Sequence, residues 1–263
     1  MEIQNLQIEY FCKSGFANAA SEGICHVKTL PYLSVVQAVE GSYDIRLGNG
    51  EMYHTGCAGF FIAPSAVQQT IIHHADQTSK LMTCRWIFLK IKINDTYYFD
   101  DLFDFPVILP EEDRQTLHLI FDRLFHSENI FDTYICIYEI IKVLFRNASE
   151  KNKKFPVNIR KALLYIEKHY QEKITVETLA KELHLSSSYF YAVFQKTMGI
   201  SPIAYLNNYR LSLAANLLLQ TDNSITEICN SVGISDSIYF NKMFKKAYQM
   251  PPSQYRQIYK TSV

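Results

Sequence analysis

Two stretches of the chain present short polar side chains and lysines along one face of a helix. In the first, Ser188, Tyr191 and Ala192 lie opposite Phe190 and Phe194; in the second, Ser237, Asn241 and Lys242 lie opposite Phe240 and Phe244. Aromatic residues four apart fall on one side of a helix and turn inward, which leaves the other side to solvent or to a partner. Small polar side chains at the start of such a helix can reach base edges in a major groove. The lysines that trail them, Lys196 in one stretch and Lys245 and Lys246 in the other, suit phosphate oxygens, contacts that position a protein on a duplex without reading it. Taken singly, each of these residues also reads as part of a solvated helix face.

The elements that carry these faces form an internal repeat. Thr175–Leu185 and Ser224–Ile234 align at an offset of 49, with Val176 over Ile225, Leu179 over Ile228 and Ala180 over Cys229. The following segments align at an offset of 50, with Phe190 over Phe240, Phe194 over Phe244, Pro202 over Pro252 and Tyr205 over Tyr255. Thr175 and Ser224 are N-cap residues, and Glu227 completes a capping box in the second unit. A small residue in mid-helix, Ala180 or Cys229, lets a second helix cross closely, and Gly233 supplies a permissive turn. His184 occupies the equivalent place in the first unit. Between the units, Pro202 to Gln220 reads as one helix with Pro in its first turn, spanning ~28 Å at 1.5 Å per residue. Successive major-groove faces on one side of B-DNA lie about 34 Å apart, so a rod of that length could present both units to one face of a duplex.

Charge divides along the chain although its formal sum is zero. Residues 1–150 carry 11 Lys and Arg against 19 Asp and Glu, whereas residues 151–263 carry 15 against 7. A basic half attracts phosphates and an acidic half is repelled by them. The change of sign coincides with the polar segment Asn147–Pro156, which reads as a linker between a first domain over residues 1–147 and a second over 157–260. With 48% hydrophobic and 14% aromatic residues the chain can fill two cores. It contains no run of 18 apolar residues and no secretion signal, an expectation of a cytoplasmic protein with no membrane partner. Six cysteines without C-x-x-C spacing argue against a disulfide framework or zinc site and read as buried thiols.

Residues 23–93 hold runs such as YLSVVQAV, GFFIAP and LMTCRWIFLKI, short β-branched and aromatic segments punctuated by Gly, Asn, Pro or Ser, as in a barrel or sandwich. Two helical patterns follow, over 113–126 and 132–145. They could cap their own domain or pair with a second subunit; the apolar character of the second favours a homodimer contact through residues 113–145.

The run from Ile159 to Gln257 resembles the DNA-binding domain of the AraC/XylS family of bacterial regulators. The motifs that carry the likeness are SSSYFYAVFQKTMGISPIAYLNNYRLSLAANLLLQT and VGISDSIYFNKMFKKAYQMPPSQYR. The resemblance covers about 100 residues and departs from the family pattern at Gln249, where Gly is usual, so the second reading helix could end differently. It implies double-stranded promoter DNA and RNA polymerase as partners. It places base-reading positions on Ser188, Tyr191 and Ala192 in one unit and on Ser237, Ile238, Asn241 and Lys242 in the other. The first set lacks Arg and Gln, so thymine methyl contacts or DNA shape would matter there.

The first domain is similar to the cupin-type sensing domains of such regulators, which implies a mainly-β cupin-like barrel followed by two helices, ahead of an all-α domain with two helix-turn-helix motifs joined by a long helix. Where cupins often carry a Pro-x-Gly-x-x-His turn, this chain has Ala63, Ser65 and Gln68, so no metal site or cofactor is expected. The same likeness puts Gln68, Thr70, Cys84 and Trp86 in a pocket for a small-molecule effector such as a sugar, on which Trp86 could stack. Trp86 also reads as ordinary core. No Ser/His/Asp arrangement, phosphate loop or paired-carboxylate site stands out, and no catalysis is assigned. The leading expectation is a ligand-responsive activator. The alternatives are a DNA-binding regulator whose barrel only dimerises or contacts polymerase, and a cupin metalloenzyme fused to a DNA-binding module.

Overall fold

The computed structural model of the chain describes residues 3–18, 22–94, 97–151 and 156–259. Strands β1 (Leu6–Asn18), β2 (Cys25–Thr29), β3 (Leu33–Glu40), β4 (Ser42–Leu47), β5 (Met52–His54), β6 (Phe60–Ala63), β7 (Gln68–His74), β8 (Met82–Ile93) and β9 (Tyr97–Tyr98) open the fold. The short helix α1 (Phe99–Leu102), strand β10 (Phe103–Asp104), helices α2 (Glu111–Phe125) and α3 (Ile130–Arg146), and strand β11 (Ser149–Glu150) complete the first unit. The strands form two antiparallel sheets, one in the order β1-β8-β3-β6 with β9 on β8, the other β2-β7-β4-β5. The cupin-like barrel expected from the sequence is therefore corrected to a pair of sheets, since among the described residues no ladder closes one onto the other. Their facing side chains satisfy the same need as a barrel wall by burying both inner faces.

Strand β8 shows how the layers are built. Its even positions Cys84, Trp86 and Phe88 pack toward the second sheet, with Val36, Tyr43, Phe61 and Ile71, whereas Ile87, Leu89, Ile91 and Ile93 pack toward α2 and α3. Both faces of a central strand are buried, so LMTCRWIFLKI has little of the polar alternation of a half-exposed strand. Arg85, beside Trp86, reaches the helix layer, donating to Gln37 Oε1 at 2.6 Å and pairing with Asp122 at 2.5 Å. The helices cap their own domain through Leu117, Ile120, Phe121, Ile137, Ile140 and Leu144, all buried. The opposite side of α3 leaves Ile130, Phe131, Ile135 and Tyr138 exposed, Phe131 by 77%. Four cysteines are buried as expected; Cys25 is half-buried and Cys57 is exposed.

The pairing of β10 with β11 carries the first unit to Glu150, and residues 152–155 of the expected linker lie outside the described residues. Helices α4 (Val157–His169), α5 (Val176–Glu182), α6 (Ser187–Met198), α7 (Pro202–Gln220), α8 (Ile225–Ser231), α9 (Ser237–Tyr248) and α10 (Pro252–Tyr259) follow. They enclose two separate cores. The first holds Ile159, Leu179, Phe190, Phe194 and Tyr205; the second holds Leu218, Ile228, Cys229, Phe240 and Phe244. The two ends of α7 enter different cores, which makes it the rigid spacer its uninterrupted pattern predicts.

Candidate nucleic-acid interface and internal chamber

Each helix-turn-helix unit is assembled by the same local chemistry. Thr175 Oγ1 accepts from the Thr178 amide at 3.2 Å, and Ser224 Oγ from the Glu227 amide at 3.2 Å while Glu227 returns a bond to the Ser224 amide. The reading helices are capped in turn, α6 by Ser186 and α9 by Asp236, whose Oδ1 accepts from both Ile238 and Tyr239. The turns preceding them are left-handed at His184, φ 55°, and at Gly233, φ 79°. A Cβ at Gly233 would meet the Gln171 backbone at 2.6–2.8 Å, so glycine is needed there for space as well as conformation. The C-terminal ends match too: Gly199 and Gln249 are both left-handed, at φ 72° and 59°. The departure at Gln249 thus leaves the helix ending intact, and its side chain donates to the Lys246 carbonyl at 2.9 Å.

With Phe190, Phe194, Phe240 and Phe244 fully buried, the outer faces stand free. Ser188, Tyr191, Ala192 and Lys196 are exposed on α6, and Ile238, Asn241, Lys242, Lys245 and Lys246 on α9; Ser237 is half-buried in the first turn. Asn241 donates to the Ser237 carbonyl at 2.8 Å, a solvent-side bond that it can exchange for a base edge. Sequence reasoning passed over Tyr189 and Tyr239, both exposed at matching first-turn positions of the two helices. The offset of 50 that aligns the phenylalanines was the available signal.

The expected effector residues divide. Cys84 and Trp86 line a chamber of about 60 Å³ between the sheets. Gln68 and Thr70 do not line it: β7 turns Gln69, Ile71 and His73 inward, leaving Gln68 exposed and Thr70 half-buried on the other face. Gln68 instead lines a separate cleft of about 470 Å³ between the β domain and α4, α6 and α7. The same parity turns His73 in and His74 out, where His74 meets Asp44 at 2.9 Å. Among the described residues no cluster of three or more His, Cys, Asp or Glu is placed to hold a metal ion, and no helix is long and apolar enough to cross a membrane.

Sequence reading did not anticipate what roofs the chamber. Ser212, Asn216 and Leu219 of α7, Tyr248 at the end of α9 and Tyr255 of α10 cover the inward residues of the sheets, and Met250 joins their core. The floor includes His26 and Lys28, which alternate on one face of β2. Burial drives the His26 ring down to about 3, against a hydrogen bond to the Tyr248 backbone, and His73 down to about 2, so both are neutral at pH 7. Burial likewise lowers Lys28 to about 8. Elsewhere the domain seam is polar: Lys90 and Glu167 form an ion pair at 2.7 Å, and Gln220 donates to the Cys12 thiol at 3.0 Å.

Residues 179–258 match a family described as a helix-turn-helix domain. The chain is 28% identical to the lactose operon transcription activator of Staphylococcus xylosus over 241 residues, 85% of this chain and 82% of that protein. It is 38% identical to the regulatory protein PocR of Salmonella typhimurium over 99 residues, 38% of this chain, and so spans about a third of that relative, 33%. Among solved structures it resembles ToxT of Vibrio cholerae, with a TM-score of 0.68 and 12% identity over 95% of this chain and 99% of the other. At that identity the likeness concerns the fold: a β-rich first part and a helical second part.

Proposed function

Because this chain is a transcription regulator with an AraC-type DNA-binding domain, we propose that it activates transcription from promoters in response to a small molecule, such as a sugar, taken up by its β domain. The observation that carries the DNA-reading part is the pair of 12-residue helices, α6 and α9, each anchored by two buried phenylalanines and joined through a continuous 19-residue α7. In this reading Ser188, Tyr191 and Ala192 meet one major-groove segment, Ser237, Ile238, Asn241 and Lys242 meet the next, and Lys196, Lys245 and Lys246 hold phosphates. Residues 1–147 sense and dimerise, and residues 157–260 bind DNA.

Activation and a sugar effector are supported by the likeness to a lactose operon activator, and an activator of this kind works by contacting RNA polymerase in the cytoplasm. Dimerisation is supported by the unpartnered apolar side of α3 together with Leu119 of α2, 66% exposed. Of the effector residues expected from sequence, Cys84 and Trp86 fit the chamber, whereas Gln68 and Thr70 would need another site. The test is a mobility-shift titration of the purified chain on DNA from upstream of neighbouring genes, at two salt concentrations, with and without sugars. Selective, salt-sensitive binding altered by a compound is the expected result; no selective shift refutes the DNA-reading assignment. A second reading, a β domain that dimerises and senses nothing, is favoured by the small size of the chamber and predicts selective binding indifferent to every compound.

A further inference from the structure

The cleft of about 470 Å³ beside α4 has room for a ligand that the chamber is too small to take. Its volume lies within the roughly 300–1,000 Å³ of small-molecule sites, which favour the seams between domains. One wall belongs to the β domain, through Pro31, the turn after β4 and the loop into β7; the other belongs to α4, the last turn of α6 and Tyr205 of α7. Between the walls lies an ion pair held apart. Asp101 and Arg160, whose side chains are 13% and 12% exposed, stand 3.5 Å from one another, and Arg160 Nε has no hydrogen-bond partner among the described residues. Burial, together with the neighbouring charge of Asp100, raises the Asp101 carboxyl to about 6 although Arg160 acts to lower it. A buried donor and a buried acceptor that face each other without bonding leave a place for a group that serves both. Elsewhere in the cleft Asn49 and Gln68 present exposed amides, held side by side by the Gly48 N–H, which donates to the Gln68 carbonyl at 2.8 Å. The Ser65 amide donates to Asp100 Oδ2 at 2.6 Å, which ties α1 to the loop whose far end, at most about 10 Å on, is Gln68.

We propose that this cleft, and not the chamber, is the effector site and that it takes an uncharged disaccharide, with one hydroxyl bridging Asp101 and Arg160 and others on the amides of Asn49 and Gln68. The inference rests on the proposed ligand response and gives it a place and a chemical class. A hydroxyl donates and accepts at once, so seated beside the spread pair it accepts from Arg160 Nε and donates to the Asp101 carboxylate; a carboxylate ligand would satisfy only the first and an ammonium only the second. The ligand needs no charge because the other buried cations are already answered. Lys90 meets Glu167 at 2.7 Å, and Lys151 reaches the Asp100 carbonyl at 2.8 Å and Asp104 at 3.6 Å, while Lys196 is left to solvent. The distance between the two polar groups suits two sugar rings better than one, and Leu163, Leu164 and Ile200 offer apolar wall to their C–H faces. An occupant would touch both the β domain and Lys196 to Gly199 at the end of α6, so occupancy of the cleft bears directly on the first reading helix.

The full chain is titrated calorimetrically with lactose, maltose and sucrose, and with lactobionate as the acid counterpart of lactose. The expected result is saturable binding of at least one of the neutral disaccharides, weakened about tenfold in Gln68→Ala and in Asp101→Asn, which remove an amide and a charged acceptor. Leu164→Trp, which fills the cleft from a partly exposed position, should abolish it. Failure of all three sugars to bind overturns the proposal, as does tighter binding of lactobionate than of lactose, or affinity undiminished in Gln68→Ala and Leu164→Trp. Should Asp101→Asn fail to fold, Gln68→Ala and Leu164→Trp decide by the same criteria. A parallel mobility shift separates this inference from the reading it rests on. Selective DNA binding by a chain that takes up none of the sugars overturns the cleft site alone, and a sugar that binds there but leaves DNA binding unchanged overturns its role as effector site. Sugar binding that the cleft variants abolish, in a chain with no selective DNA shift, overturns the DNA-reading assignment and leaves the site standing.

Discussion

Replacing Lys28 by methionine should make the protein more stable, because the native fold holds this ammonium where water cannot solvate it well. Burial lowers its pKa from 10.5 to about 8. Such a shift corresponds to about 3 kcal/mol of native-state destabilisation, an upper bound where cavity water solvates part of the group. The sign follows from proton counting. Between pH 8 and 10.5 the unfolded chain binds the proton more tightly than the folded one, so stability rises with pH through that window and the full penalty is present below it. Methionine fills the same length without charge, and Lys28→Met should gain up to about 3 kcal/mol at pH 7, with the gain disappearing above pH 10.5. Urea unfolding followed by Trp86 fluorescence at pH 7, 9 and 10.5 measures the difference. A variant less stable than the parent at pH 7, or an advantage that does not change with pH, would show that the charge is already compensated in the native state.

Gln249→Gly should stabilise the second unit by about 1 kcal/mol, since the left-handed backbone at φ 59° disfavours any residue with a Cβ, and urea titration would register it. Gly233→Ala should cost more than 2 kcal/mol through collision with the Gln171 backbone in addition to conformational strain, and equal stability in the same assay would contradict the close approach. On DNA, Asn241→Ala should lose about 1–3 kcal/mol on the preferred site and little on random sequence, whereas Lys245→Ala should weaken both alike and reduce the salt slope by about one; identical behaviour of the two variants would erase the distinction between reading and positioning. Phe131→Glu, on the exposed side of α3, should yield a monomer by analytical ultracentrifugation with little change in thermal midpoint, and an unchanged sedimentation pattern would place any dimer contact elsewhere.

Much of the second half of this chain was legible because its pattern is set by short-range physics. Caps at Thr175 and Ser224, phenylalanines four apart and a proline at the start of α7 act within a few residues of themselves, so the spacing that encodes them also places them. Even the two departures, His184 and Gln249, occupy the left-handed positions that the repeat predicts, since the chain must turn there whatever residue it carries. The first half was read less fully. The strand β1 lay outside the expected β region, and the resemblance to a closed barrel gave way to two sheets, because strand partners are chosen across the whole domain. Strand β7 shows the limit most clearly. Both of its faces carry polar residues, Gln68, Thr70 and His74 on one and Gln69 and His73 on the other, so alternation alone cannot say which side turns inward. That choice, together with the meeting of Lys28, Cys84 and Trp86 beneath helices more than a hundred residues further along the chain, belongs to tertiary packing. A pattern specifies an element and its apolar face, but the chemistry of an enclosed space depends on which elements close it.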